Sequence, residues 1–191
     1  MTTSTPATPA APASFGATLR LIYAIRFVVA VVWAVILIVT APAPGPLLTV
    51  LVVVYPLVDA AAVLWQVLAE GRATSPRPAE WINVAMSVLA ALALGWASTA
   101  SVGGVLAVWG VWAIVSGIAQ LVTALLRRSI GGQVPLIVSG ALSVVAGIAF
   151  LVQGLQGATS ASSVGGYAIV GGVFFLIAAI RLSLLLRRAS A

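Results

Sequence analysis

The apolar positions of this chain run on without alternating. Six segments consist almost wholly of Leu, Val, Ile and Ala with scattered Gly: approximately Leu21–Ala41, Leu47–Ala69, Trp81–Ala97, Val102–Leu126, Val134–Gly154 and Val164–Leu186. About 20 mostly apolar residues suffice for a helix to cross the ~30 Å hydrocarbon core. A membrane barrel would instead need many short strands alternating at period two, so helices are the expectation. The pattern predicts an all-α polytopic membrane protein with six transmembrane helices. Its breaks are those of short connections. Ala41-Pro42-Ala43-Pro44-Gly45-Pro46 joins the first two spans, since Pro cannot continue a helix, and Gly71 to Pro78 separates spans two and three. Gly131-Gly132 and the run from Gly157 to Ser163 separate the later ones. Residues 1–17, rich in Thr, Pro and Ala and uncharged, read as a disordered cytoplasmic tail, and 18–188 as the membrane domain. Removal of the first span as a signal peptide after Val39-Thr40-Ala41 is disfavoured by its length, because signal cores run about 7–15 residues.

The spans also repeat, with a period near 56 residues. Trp112-Ala113-Ile114-Val115-Ser116-Gly117-Ile118 matches Tyr167-Ala168-Ile169-Val170-Gly171-Gly172-Val173, and the same frame gives Tyr55-Pro56-Leu57-Val58-Asp59-Ala60-Ala61. Ala85-Met86-Ser87-Val88-Leu89-Ala90 mirrors Ala141-Leu142-Ser143-Val144-Val145-Ala146. The expected organisation is three tandem two-helix hairpins, about 20–70, 80–128 and 133–188. A two-span repeat preserves orientation, unlike the inverted repeats of many secondary transporters.

Composition agrees with the pattern. Of 191 residues, 62% are hydrophobic and 6% charged, against roughly 25% charged in soluble domains. The net charge of +6 comes from nine Arg that never form a dense basic face, so no nucleic-acid partner is expected. Their positions carry topology instead. Arg20, Arg72, Arg77, Arg127, Arg128, Arg187 and Arg188 all fall before span one, in loops two and four, or after span six. Loops one, three and five hold no charge. By the positive-inside rule both termini face the cytoplasm. Trp81, Trp96 and Tyr23 suit the interfacial aromatic belts.

Glycines recur every seven residues: Gly103, Gly110 and Gly117 in span four; Gly140, Gly147 and Gly154 in span five; Gly165 and Gly172 in span six. A seven-residue period keeps small residues on one face, where backbones can approach closely, so these are expected to be packing positions. Ser87, Ala91 and Gly95 have the same character at four-residue spacing.

The tripled hairpin, with its aromatic-Ala-Ile-Val-x-Gly core at Trp112–Gly117 and Tyr167–Gly172, resembles the HdeD-like family of bacterial six-helix membrane proteins, built from a short repeat of unknown function. The likeness covers residues 20 to 188. Tyr55-Pro56-Leu57-Val58-Asp59 looks like the family's form, with Ala60 where the family has Gly; Arg26–Val39 is Val-rich where the family's first helix is Gly-rich. The family's namesake is associated with acid resistance, so the resemblance implies a non-catalytic protein contributing to acid or envelope stress resistance.

Three charges lie inside spans: Arg26, Asp59 and Arg181. Each costs on the order of 2.5–3.5 kcal/mol at a helix centre. Both Arg sit roughly 9 Å from the cytoplasmic edge and can snorkel. Asp59, roughly 16 Å deep, cannot. Three states would relieve it: protonation, an ion pair with Arg26 or Arg181, or a water-filled cavity. The competing reading is a small proton- or ion-coupled channel or transporter using Asp59. Catalysis is not expected. The chain has no His or Cys, and Asp59 has no acidic companion within a span, so general acid–base pairs, metal ligand sets and nucleophile–His dyads are missing. No cofactor, metal or small-molecule ligand is identifiable. The expected partner is the lipid bilayer, and a homo-oligomer is compatible with this reading.

Overall fold

A computed structural model describes residues 11–40, 43–70, 77–130 and 132–189. The described residues form α1 (Ala11–Thr40), α2 (Pro46–Ala69), α3 (Pro78–Ala100), α4 (Val102–Leu126), α5 (Val134–Leu155) and α6 (Ser162–Ala189), with one 3-10 turn at Arg128–Ile130. There is no strand among them. All six helices are long and apolar enough to cross a membrane. Prolines open α2, α3 and α5, where their missing N–H leaves no intrahelical bond unmade. Ser101 caps α4, its hydroxyl accepting from the Gly104 N–H at 3.0 Å. Gly132 and Gly157 turn the chain with φ of +69° and +78°, values that favour glycine.

Residues 1–10 of the expected tail lie outside the described residues, but Ala11–Ala17 belong to α1. The cause is contact with the last helix. Gly16 abuts Leu186, and Leu19 and Ile22 are buried with Ala178, Ala179 and Leu182 of α6.

Each helix packs against its neighbours in sequence, and α1 packs against α6, so the six form a closed ring. The most extensive contacts are α4 with α5, α1 with α6 and α2 with α3, which lie between the expected hairpins and not within them. Glycine explains the alternation. Between α4 and α5 the pairs Gly103/Gly154, Gly110/Gly147 and Gly117/Gly140 lie face to face as three rungs. A Cβ on Gly110 would stand 2.6 Å from the Gly147 carbonyl oxygen, and one on Gly140 2.8 Å from that of Gly117. Gly165 and Gly172 take α6 against Ala34, Ile38, Phe27 and Ala30 of α1. Between α2 and α3, Gly95 meets Val53, and the Thr49 and Ser98 hydroxyls lie 2.7 Å apart.

Large apolar side chains, among them Val28, Val32, Leu92, Val145 and Leu155, point outward. Such an apolar girdle needs lipid around it. Trp81 and Trp96 are exposed on it, whereas Tyr23 is buried inside the ring and not at an interface. Two apolar clusters fill the interior. One contains Trp33, Leu48, Leu94, Trp109 and Val164; the other contains Leu19, Tyr23, Ala124, Leu136 and Phe175. A polar chamber lies between them.

Candidate functional site

The chamber is built from polar positions spaced at helical intervals on otherwise apolar helices. On α2, Tyr55, Asp59 and Gln66 fall four and seven residues apart; on α3, Glu80 and Asn83; on α4, Ser116, Gln120 and Thr123; on α5, Ser139 and Ser143. Spacings of three, four and seven keep each set on one helix face. Those faces, with Arg26 of α1 and Tyr167 of α6, surround a cavity of about 90 Å³, room for several waters. The positions equated by the 56-residue spacing meet here. Tyr55, Trp112 and Tyr167 all line it, as do Asp59, Ser116 and Gly171.

Asp59 lines it and carries three donors. The Arg26 guanidinium donates to Oδ1; Asn83 Nδ2 donates to Oδ2 at 2.7 Å and the Ser87 hydroxyl to the same oxygen at 3.0 Å. The Arg26 side chain is 15% exposed and that of Asp59 9%. Arg26 also lies over the Phe175 ring, its Cζ 4.0 Å from the centroid, which spreads part of its charge onto the ring face. Ser87 in turn accepts from Trp112 Nε1 at 2.9 Å. One hairpin later the Tyr167 hydroxyl donates to Ser143 Oγ, also at 2.9 Å.

Asp59 therefore pairs with Arg26. Arg181, the other candidate, is exposed on the outside of α6 and makes no ion pair among the described residues. A second correction concerns Glu80. Expected outside the spans, it lies in the first turn of α3, buried to 6% exposure, and lines the same chamber as Asp59. Its partner is Arg127 at the end of α4, whose NH2 is 3.1 Å from Glu80 Oε1 and 2.5 Å from Glu70 Oε2; Arg77 reaches Glu70 at 3.4 Å. Arg127, Glu70, Glu80 and Arg77 thus close the Arg-rich end of the bundle with equal numbers of opposite charges. At the other end the rings of Trp33, Tyr55, Trp109 and Trp112 form a wall. Trp33 stacks on Trp109 at 5.3 Å, Trp112 meets Trp109 edge-on at 5.1 Å, and Tyr55 meets Trp33 at 4.5 Å. Of the glycines expected at packing positions, Gly117 also borders the chamber. No group of three or more metal-ligating side chains occurs among the described residues.

Asn83, Gln66, Gln120, Thr123 and Ser139 escape a reading that looks for charges alone. Their signal is the three-to-four-residue spacing of amides and hydroxyls within apolar helices, visible in the sequence once polar and not charged positions are marked.

Residues 81–152, which span nearly all of α3, α4 and α5, match the family model described as a short repeat of unknown function (DUF308). No curated protein and no solved structure matches the chain.

Proposed function

We propose that this chain is a non-enzymatic multi-pass protein of a bacterial plasma membrane, of the HdeD-like type, with both termini cytoplasmic and a role in acid or envelope stress resistance. The DUF308 match supports the family level of this reading, and the Arg-rich connections support the orientation. The observation that carries its central part is the Arg26–Asp59 pair. A carboxylate that shuttles protons needs a counter-charge that leaves; Asp59 has a guanidinium on one oxygen and an amide and a hydroxyl on the other. It ties α1, α2 and α3 together, which is the work of a structural pair.

The second reading, a proton- or ion-coupled channel or transporter using Asp59, draws on the fact that Asp59 lines a chamber. Proton flux separates the two. Purified protein in proteoliposomes carrying an internal pH dye and an imposed potential is expected to leak no faster than empty vesicles, for wild type and Asp59→Asn alike. Flux in wild type that disappears in Asp59→Asn would overturn the structural reading.

A further inference from the structure

The chamber contains polar groups that nothing in the fold satisfies. Gln66 is 5% exposed, yet its side-chain amide makes no hydrogen bond among the described residues. The Tyr55 and Thr123 hydroxyls have no partner there either, and all three line the cavity. Buried polar groups need partners, because an unmet donor or acceptor costs about 1–3 kcal/mol. The fully occluded unpartnered atoms among the described residues are Trp109 Nε1 and Arg127 NH1. The Gln66 amide thus faces open space, where only something occupying the chamber can satisfy it.

The charges lining the chamber define the occupant. They cancel in pairs: Asp59 is held by Arg26 and Glu80 by Arg127, so an ion of either sign entering the chamber meets no net counter-charge. Beside these pairs stand neutral groups without a hydrogen-bond partner among the described residues, the Gln66 amide and the Tyr55 and Thr123 hydroxyls, together with the Gln120 carbonyl, whose own Nε2 already donates to Leu136 O at 3.1 Å. We infer that the chamber is a binding site for a small uncharged solute able both to donate and to accept hydrogen bonds, an amide or polyol of a few heavy atoms. Gln66 is its principal contact. This goes beyond the structural reading and does not rest on it.

The absence of cysteine from the chain makes a clean test possible. A thiol reacts as thiolate, so a single cysteine facing a wet chamber reacts with a neutral methanethiosulfonate, whereas one facing lipid does not. Ser116→Cys is compared with Ile118→Cys, whose parent side chain is on the lipid face, 48% exposed. Acetamide, acetate and ethylammonium serve as neutral, anionic and cationic probes of similar size. The expectation is that Ser116→Cys reacts and that acetamide alone slows it, roughly ten-fold at ten times its half-protecting concentration. Adding Gln66→Leu abolishes that protection. Thr123→Cys provides a second position, read in the same way should Ser116→Cys fail to fold. No reaction at either position, no protection by acetamide, equal protection by acetate or ethylammonium, or protection that survives Gln66→Leu would each overturn the proposal. Because protection is read without any proton gradient, its failure is distinct from failure of the structural reading.

Discussion

Asp59 and Arg26 are costly residues placed where each cancels the other. Removing one partner of a buried pair leaves the other uncompensated, a loss of about 3–5 kcal/mol in soluble proteins and less where a membrane offers other partners. Asn83 and Ser87 would still serve an Asn at position 59, so Asp59→Asn should be milder than Arg26→Gln, which leaves a charged carboxylate. In thermal melts of detergent-solubilised protein, both single variants are expected to lower the midpoint. The double variant should lose less than the sum, with coupling of about 1–3 kcal/mol. Strict additivity would mean the pair is not coupled. The sequence marks Asp59 plainly, as an acid too deep and too short to reach water. It does not choose between Arg26 and Arg181, because both sit at similar depth and only the packing of α6 turns Arg181 outward. Glu80 is hidden for a related reason. It looks like a loop charge until α3 is seen to start at Pro78 and to turn Glu80 inward.

At the scale of the helix, the seven-residue glycine spacing is legible in sequence and the partner of each stripe is not. Periodicity says that a face is small; it does not say which neighbour uses it. Because α4 and α5 approach backbone to backbone, Gly110→Ala would set a methyl group 2.6 Å from Gly147 O and Leu151 N, neither of which can swing aside. Overpacking of this kind costs about 1–3 kcal/mol, and the thermal midpoint should fall accordingly. Gly166→Ala on α6 meets nothing within 4 Å and should leave the midpoint unchanged or raise it, since Ala is the better helix former. Equal effects at the two positions would remove the distinction between packing and free glycines. The polar stripes obey the same logic. Tyr55, Asp59 and Gln66 are ordered along one face by sequence alone, but only the ring brings that face opposite those of α3, α4 and α5.

For the whole molecule, six spans, their approximate limits and the apolar girdle follow from the length and composition of the segments. The closure does not, because no local signal says that the first helix meets the last. Yet the chamber depends on it: α1 supplies Arg26, α6 supplies Phe175 and Tyr167, and without their contact both would face lipid. The contact can be captured by a disulfide, since the chain has no cysteine to interfere. A Cβ on Gly172 would lie 3.1 Å from that of Ala30, close to the separation a disulfide spans. In native membranes, mild oxidation of Ala30→Cys/Gly172→Cys is expected to give an intramolecular cross-link: a faster-running monomer on a non-reducing gel, reversed by reductant. Free thiols after oxidation, or cross-linked dimers in place of that monomer, would contradict a ring closed by α1 and α6.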